Sequence, residues 1–240
     1  MNKKIFMLAL ALMTGLFVFA GCGEAAVRGR GDMVNRAIPA ADFTGINIYG
    51  DFELIFRRAD TISVNLTMQE NLFEYLESEV RGGNLRVRTT QTIRTDAANT
   101  PRLYINAPFL DNIVVSGAIN AVDWDDIRAE NLNIDISGAA NVDFYIEAQN
   151  INIVVAGAAN LVVSGRSDTL SLNAAGAANV EAFALTVHDA VVTLAGAGQV
   201  DINATDYLDV RLSGVGTVNY MGRPSVARNI TGLGRINRVD

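Results

Sequence analysis

The sequence predicts an all-β repeat protein, a β-solenoid, from three observations. The pattern Ser/Ala-Gly-x-x-Asn/Gln recurs along the C-terminal half with weaker copies at its end, alternating apolar residues flank each copy, and no helical period accompanies them. The repeated glycines lie 21, 19, 19, 20, 18 and 18 residues apart, and they are Gly117, Gly138, Gly157, Gly176, Gly196, Gly214 and Gly232. A period near twenty residues is typical of a stacked solenoid, in which each repeat buries its apolar face against its neighbours.

Alternation within each copy predicts strands. In the second copy Ile134, Ile136 and Phe144 share one phase, and Asn141 and Asp143 share the other. Successive side chains of a strand point to opposite faces, so the apolar phase is expected in the core and the polar phase in solvent. A helix would need a period of 3.6 residues.

The glycine of each copy falls on the inward phase, which indicates a corner where backbones approach closely. The small alanines two positions later, Ala140, Ala159 and Ala178, continue that corner. The asparagines after them are interpreted as a hydrogen-bonded ladder along the outside, with a polar binding stripe as the functional alternative. These asparagines are Asn120, Asn141, Asn160 and Asn179.

The first residues predict export. Lys3 and Lys4 precede an apolar run that ends near Ala20, so residues 1–21 are interpreted as a signal peptide. The run ends in Phe19-Ala20-Gly21-Cys22, which resembles the lipobox of bacterial lipoproteins, whose cysteine becomes the lipidated N-terminus. We therefore expect a lipid on Cys22 and a location in the cell envelope. An uncleaved anchor, or secretion with an incidental cysteine, is the alternative.

Residues 22–40 are small and polar and predict a tether, and residues 41–240 predict one domain. Within it, 41–110 would form an atypical N-terminal capping part and 111–240 the seven glycine-containing rungs. The capping part carries short strand patterns and one amphipathic helix. That helix is predicted between Gln69 and Val80, with Leu72, Leu76 and Val80 at four-residue spacing and Gly82-Gly83 ending it.

Charge excludes several classes of function. After the two lysines of the signal peptide the chain has 17 arginines against 26 acidic residues, a net charge of 17 − 26 = −9. An acidic chain with no basic run is not expected to bind nucleic acid. The absence of lysine after the signal peptide excludes Schiff-base chemistry there. We expect no cofactor.

An acidic column follows the asparagines and supplies candidate binding residues. Asp143, Glu181 and Asp201 occupy it with Asp123, and Val162 interrupts it. Stacked carboxylates repel one another, so a continuous column would favour a cation such as calcium. The interruption favours a solvated acidic face. Trp124, flanked by carboxylates, is interpreted either as a sugar-stacking surface or as a lid on the core.

Other candidates carry weaker signals. His188 is the only histidine, and no nucleophile motif supports a catalytic role for it. The tripeptide Arg30-Gly31-Asp32 is interpreted as a chance match to an integrin-binding motif. The outward alanines next to the glycines predict a small apolar stripe for packing against a partner, and they are Ala139, Ala158, Ala177 and Ala197.

The chain resembles the bacterial family called "putative auto-transporter adhesin, head GIN domain" over roughly residues 29–236. The resemblance rests on Phe43 to Gly50, on Gly82-Gly83-Asn84-Leu85, on the Ser/Ala-Gly-Ala-Ala-Asn copies and on Tyr220 to Val226. It implies a right-handed parallel β-helix in exported or lipid-anchored proteins. The family's biochemical function is undetermined, so the resemblance implies no functional residues.

The resulting hypothesis is a non-enzymatic, lipid-anchored envelope protein that presents a β-solenoid for binding or adhesion. Expected partners are envelope proteins, glycans or copies of itself. An enzyme acting on extracellular polysaccharide is the first alternative, since parallel β-helices host such activities. A structural or envelope-stress-sensing protein is the second.

Overall fold

The computed structural model describes residues 26–239, with the side chain of Val122 excepted. The predicted signal peptide and the predicted lipidation residue Cys22 lie outside the described residues. Within residues 26–239 the chain is all-β, as predicted, and it contains no helix long and apolar enough to span a membrane. Two short 3-10 helices, Glu70–Tyr75 and Ala97–Asn99, accompany the strands.

The strands are numbered in chain order. They are β1 (Val27–Arg28), β2 (Met33–Ala37), β3 (Gly45–Tyr49), β4 (Phe52–Arg58), β5 (Ser63–Gln69), β6 (Leu76–Arg81), β7 (Asn84–Thr89), β8 (Ile93–Arg94), β9 (Arg102–Ala107), β10 (Asn112–Trp124), β11 (Ile127–Gly196), β12 (Gln199–Gly214), β13 (Thr217–Met221), β14 (Ser225–Gly232) and β15 (Arg235–Arg238).

Successive repeats pair in parallel and in register. Gly117 of β10 lies opposite Gly138 of β11, and Gly196 of β11 lies opposite Gly214 of β12. Gly214 in turn lies opposite Gly232 of β14. The pairing shift therefore equals one sequence repeat, which explains the period near twenty residues. The sheet is not closed: its strand path runs from β2 to β15.

The alternation of each repeat corresponds to burial. Ile134, Ile136 and Phe144 are buried, whereas Asn141 and Asp143 between or beside them are exposed. The buried phase continues through the repeats as one apolar core. Aliphatic burial of this kind is the main favourable contribution to folding, at roughly 25 cal/mol per Å² of apolar surface.

The repeated glycines mark a close backbone approach, as predicted, but they do not occupy the core. Gly138, Gly157 and Gly176 are exposed, and their φ angles are +109°, +136° and +103°. A Cβ on Gly157 would lie 2.2 Å from the carbonyl oxygen of Gly138. The side chain is excluded by the stacked backbone of the previous repeat and by the positive φ, while Ala140 and Ala159 two positions later enter the core.

The predicted amphipathic helix at Gln69–Val80 is wrong over much of its length. A 3-10 helix covers only Glu70–Tyr75, and Leu76–Arg81 form β6, which pairs antiparallel with β7. The side chains of Leu76 and Val80, four residues apart, fit a two-residue period as well as a helical one. A hairpin forms instead of a helix because Gly82 and Gly83 adopt positive φ angles that form a tight turn. Cross-strand ion pairs also stabilise the hairpin. These pairs are Glu77 with Arg88 and Glu79 with Arg86.

Strands also lie within the segment predicted as a tether. β1 pairs in parallel with β8, and β2 pairs antiparallel with β5. The described structure therefore begins before residue 41. We call the part from β2 to β9 the N-terminal cap.

Candidate functional surface

The asparagine ladder predicted from the repeats is present. The Nδ2 atoms of Asn141, Asn160 and Asn179 each donate to the Oδ1 atom of the asparagine one repeat earlier, at 3.1, 2.9 and 3.3 Å. The amide oxygens of Asn120, Asn141 and Asn160 thus each accept from the asparagine of the next repeat. The ladder is exposed, and its hydrogen bonds are directed along the stack, which supports the structural interpretation over the polar binding stripe.

Of the residues of the acidic column, Glu181 and Asp201 lie next to each other, whereas Asp143 lies apart from them. Asp143 and Glu181 are exposed, and the exposed Val162 belongs to the repeat between theirs. Glu181 lies directly opposite Asp201 in the pairing of β11 with β12. Among residues 26–239 no three His, Cys, Asp or Glu side chains come together as a metal site.

Asp201 differs from the other acidic candidates because it is buried, with 8% of its surface exposed. Both of its carboxylate oxygens accept from Nε2 of Gln199 at 3.0 Å, and Nδ2 of Asn219 donates to its Oδ1 at 2.8 Å. Asn237 then donates to Asn219 at 3.1 Å. The carboxylate therefore ends a second ladder of amides, whose N–H groups are directed at it.

Trp124 lies at the junction between the cap and the repeats. Its ring packs between Phe56, at a centroid distance of 5.4 Å, and Phe144, at 4.8 Å. The indole Nε1 donates to the carbonyl oxygen of Leu54 at 3.1 Å. This half-buried ring packs against the core between the cap and the repeats, so Trp124 has a structural role at a junction rather than at the end of the core. Sugar stacking by Trp124 stays a prediction.

Ion pairs connect the cap to the first repeats. Asp126 accepts from Nη1 of Arg58 at 2.7 Å and from Nε of Arg128 at 2.6 Å. The hydrogen bond from Arg128 and the charge of Arg58 lower the pKa of Asp126. Beside it, Arg57 forms a hydrogen bond with Asp123 that lowers the pKa of that carboxyl.

Further ion pairs follow along the repeats, beyond the junction with the cap. Glu147 lies 3.5 Å from Nε of Arg128 and 3.1 Å from Nη2 of Arg166. A groove of about 600 Å³ lies beside this pair and includes Ser167 and His188. His188 is exposed, and its Nδ1 lies 4.0 Å from the Asp206 carboxylate. Sequence reasoning missed these ion pairs because acidic and basic residues alternate in them and do not recur at one position of the repeat.

The Arg30-Gly31-Asp32 tripeptide is attached to the cap rather than extended into solvent. The backbone N–H of Arg30 donates to the side chain of Asn71 at 2.7 Å, and the carbonyl oxygen of Asp32 accepts from the backbone N–H of Glu70 at 3.2 Å.

The alanines next to the glycines form an exposed row, as predicted. We call this the alanine row: Ala118, Ala139, Ala158, Ala177 and Ala197. Its position continues into larger residues. The backbone N–H groups of Ala197, Val215 and Leu233 each donate to the glycine carbonyl one repeat earlier. Val215 is 62% exposed and Leu233 83% exposed.

The structure thus defines an all-β repeat protein whose surface consists of in-register rows of side chains. The chain belongs to the family described as "Putative auto-transporter adhesin, head GIN domain", which matches residues 42–224. No curated protein matches the sequence.

Solved structures share the fold. A "putative adhesin" from Bacteroides fragilis NCTC 9343 superposes with a TM-score of 0.82 at 20% identity, covering 89% of this chain and 100% of that one. A "Putative lipid binding protein" from Parabacteroides distasonis ATCC 8503 gives 0.70 at 22% identity, covering 90% and 100%. A "putative adhesin" from Parabacteroides merdae ATCC 43184 gives 0.70 at 21% identity, covering 90% and 99%. At these identities the likeness concerns the fold alone.

Proposed function

We propose that the protein is a non-enzymatic, lipid-anchored protein of the cell envelope that presents a right-handed parallel β-helix for binding or adhesion. Its partners would be other envelope proteins, glycans or copies of itself. The family's description as an adhesin supports export and surface display. The sequence around Cys22 supports the lipid anchor.

One observation supports the binding role. The asparagines and the acidic residues lie in rows of their own, whereas the exposed alanine row continues from one repeat to the next. The alanine row is exposed in each repeat and continues into Val215 and Leu233. Small side chains on a regular sheet let another surface approach closely along its length. Exposed contiguous apolar surface of this kind is typical of an interaction site.

Crosslinking on intact cells tests the proposal with a matched pair of variants. Ala158→Arg places a long charged side chain in the middle of the alanine row. Ala184→Arg makes the same change at another exposed alanine, outside the row. We expect the wild type and Ala184→Arg to form crosslinked adducts, and Ala158→Arg to lose them by about tenfold, equivalent to about 1.4 kcal/mol.

Equal adduct formation by all three proteins would exclude the alanine row as the binding surface. Absence of adducts from the wild type would contradict the binding function itself. The anchor is tested separately by Cys22→Ala, which should release the protein from the membrane fraction; retention of this variant would overturn the lipid anchor.

A further inference from the structure

The last of the described repeats forms an end of the described sheet that differs in charge and in pairing from the other repeats. We call it the C-terminal tip: β14, β15 and the turn at Leu233 between them. Among the described strands β14 pairs only with β12, and β15 only with β13. Each therefore has one edge whose backbone N–H and C=O groups have no strand beside them, which is a template for another extended chain.

Two residues of β14 that correspond to core positions are exposed, whereas Val226 and Ile236, at other such positions, are partly buried against the core. Leu212, 1% exposed, lies opposite Ile230 of β14, which is 44% exposed. Val210, fully buried, lies opposite Arg228, which is exposed. With Leu233, the tip combines apolar side chains with the unpaired strand edges.

Charge separates the tip from the preceding repeats. Between residues 111 and 209 there are 14 acidic residues and two arginines. After Asp209 the only acidic residue is Asp240, against five arginines, which are Arg211, Arg223, Arg228, Arg235 and Arg238. An acidic protein thus carries an excess of basic residues at one end of its sheet.

Three of these arginines have no carboxylate partner among the described residues. Arg211 pairs with Asp209 at 2.6 Å, but Arg223, Arg228 and Arg235 form no ion pair there. Arg228 instead lies 6.0 Å from the ring centroid of Tyr220 and donates to its hydroxyl at 3.1 Å. By contrast, most arginines of the cap strands pair with a carboxylate, for example Arg88 with Glu77 and Arg102 with Glu53.

We propose that the C-terminal tip binds an acidic, extended protein segment that adds to the sheet as a further strand. Backbone hydrogen bonds to β14 or β15 would supply affinity, and the unpaired arginines would select acidic side chains. A second copy meeting tip to tip is disfavoured, because it would bring two arginine-rich ends together. The inference rests on the proposed function, since it names the partner class of a protein displayed for binding.

Peptide binding by the full chain in detergent tests this directly. The probe is a fluorescent eight-residue peptide in which glutamate alternates with threonine and valine. Two matched probes carry lysine in place of glutamate, or N-methyl groups on alternate backbone amides. We expect saturable binding of the first probe only, because the second has the wrong charge and the third cannot complete the backbone ladder.

Variants locate the site. Arg235→Gln should weaken binding of the glutamate probe about fivefold, the effect of losing one ion pair worth about 1 kcal/mol. Arg166→Gln removes another exposed arginine, which pairs with Glu147 in the middle of the repeats, and should leave binding unchanged. Both changes are on the surface, so neither is expected to unfold the protein.

Several results would overturn the proposal. These are absence of saturable binding, equal loss with Arg166→Gln, or equal binding of the N-methylated probe. Binding to vesicles of equal parts phosphatidylcholine and phosphatidylserine without binding of the peptide would assign the tip to a membrane surface instead. Self-association of Arg228→Gln and Arg235→Gln, with no peptide binding by the wild type, would show that the arginines only block edge pairing.

Failure at the tip is distinguishable from failure of the proposed function. Peptide binding tests β14 and β15, whereas crosslinking of Ala158→Arg and Ala184→Arg tests the alanine row. Loss of the first with retention of the second would remove the acidic partner and leave the binding protein.

Discussion

The two ends of the sheet terminate the same row of core residues in opposite ways. At the N-terminal cap, Val87 lies opposite Ile48, which lies opposite Val115. Val87 is fully buried, whereas Ile230 at the other end of the sheet is 44% exposed. At the cap, β6 lies antiparallel beside β7, and its Leu76 and Val80 pack against the core. A hairpin that departs from the repeat therefore covers the outer edge of β7, whereas β14 and β15 have no such strand beside them among the described residues.

The cap and the repeats also use glycine differently. Gly82 turns a hairpin with φ at +59°, and a Cβ there would meet nothing within 4 Å. Gly157 has φ at +136°, and a Cβ there would lie 2.2 Å from a backbone oxygen of the preceding repeat. The turn in the cap requires glycine only for its backbone conformation. A glycine in the repeats is required both for its conformation and because the backbone of the preceding repeat leaves no room for a side chain.

The largest predicted effect follows from this difference. Gly157→Ala should lower the free energy of unfolding by about 4 kcal/mol, because it combines an unfavourable φ with a clash against backbone that cannot move alone. Gly82→Ala, with the left-handed strain but no clash, should cost about 1 kcal/mol. Urea unfolding followed by circular dichroism measures both. Similar losses in the two variants would show that stacking adds nothing to the glycine requirement.

A smaller effect compares the two ends directly. Val87→Ala removes two buried methyl groups and should destabilise the protein by about 2 kcal/mol. Ile230→Ala removes more atoms from a half-exposed position and should cost only about 0.5 kcal/mol. The same urea titration serves for both. A loss at Ile230 as large as that at Val87 would mean that the tip is covered in solution, which would itself indicate an occupant.

Repeat periodicity predicted most of the fold. The strands, their inward phase and the asparagine ladder all follow from residues that recur at equal spacing, so each copy confirms the next. The cap offered no such redundancy. Leu72, Leu76 and Val80 fit both a helical and a strand period, and the hairpin depends on contacts with β7 that local spacing does not encode.

The functional surface was less predictable for a related reason. The repeat identified Asp143, Glu181 and Asp201 as one column, but the partners of Asp201 depend on which amides lie in the neighbouring repeats. The arginines of the C-terminal tip interrupt the repeat pattern, so a search for recurring residues overlooks them. Their significance depends on a sheet edge, which exists only once the strands are paired.

The smallest predicted effect concerns the junction of the cap with the repeats, where Asp126 receives hydrogen bonds from Arg128 and Arg58. Its pKa is lowered from the usual 3.8, so the folded state holds the carboxylate more acidic than the unfolded state does. This contribution to stability is therefore present above about pH 4 and is lost as the pH falls through the folded pKa. It should amount to no more than about 1 kcal/mol, because solvent screens the exposed arginines.

Asp126→Asn should destabilise the protein at pH 7, and its urea midpoint should approach that of the wild type at pH 3. Asp168→Asn, which removes a carboxylate without an ion pair among the described residues, should run parallel to the wild type throughout. A constant gap between Asp126→Asn and the wild type from pH 7 to pH 3 would show that packing, rather than charge, joins the cap to the repeats.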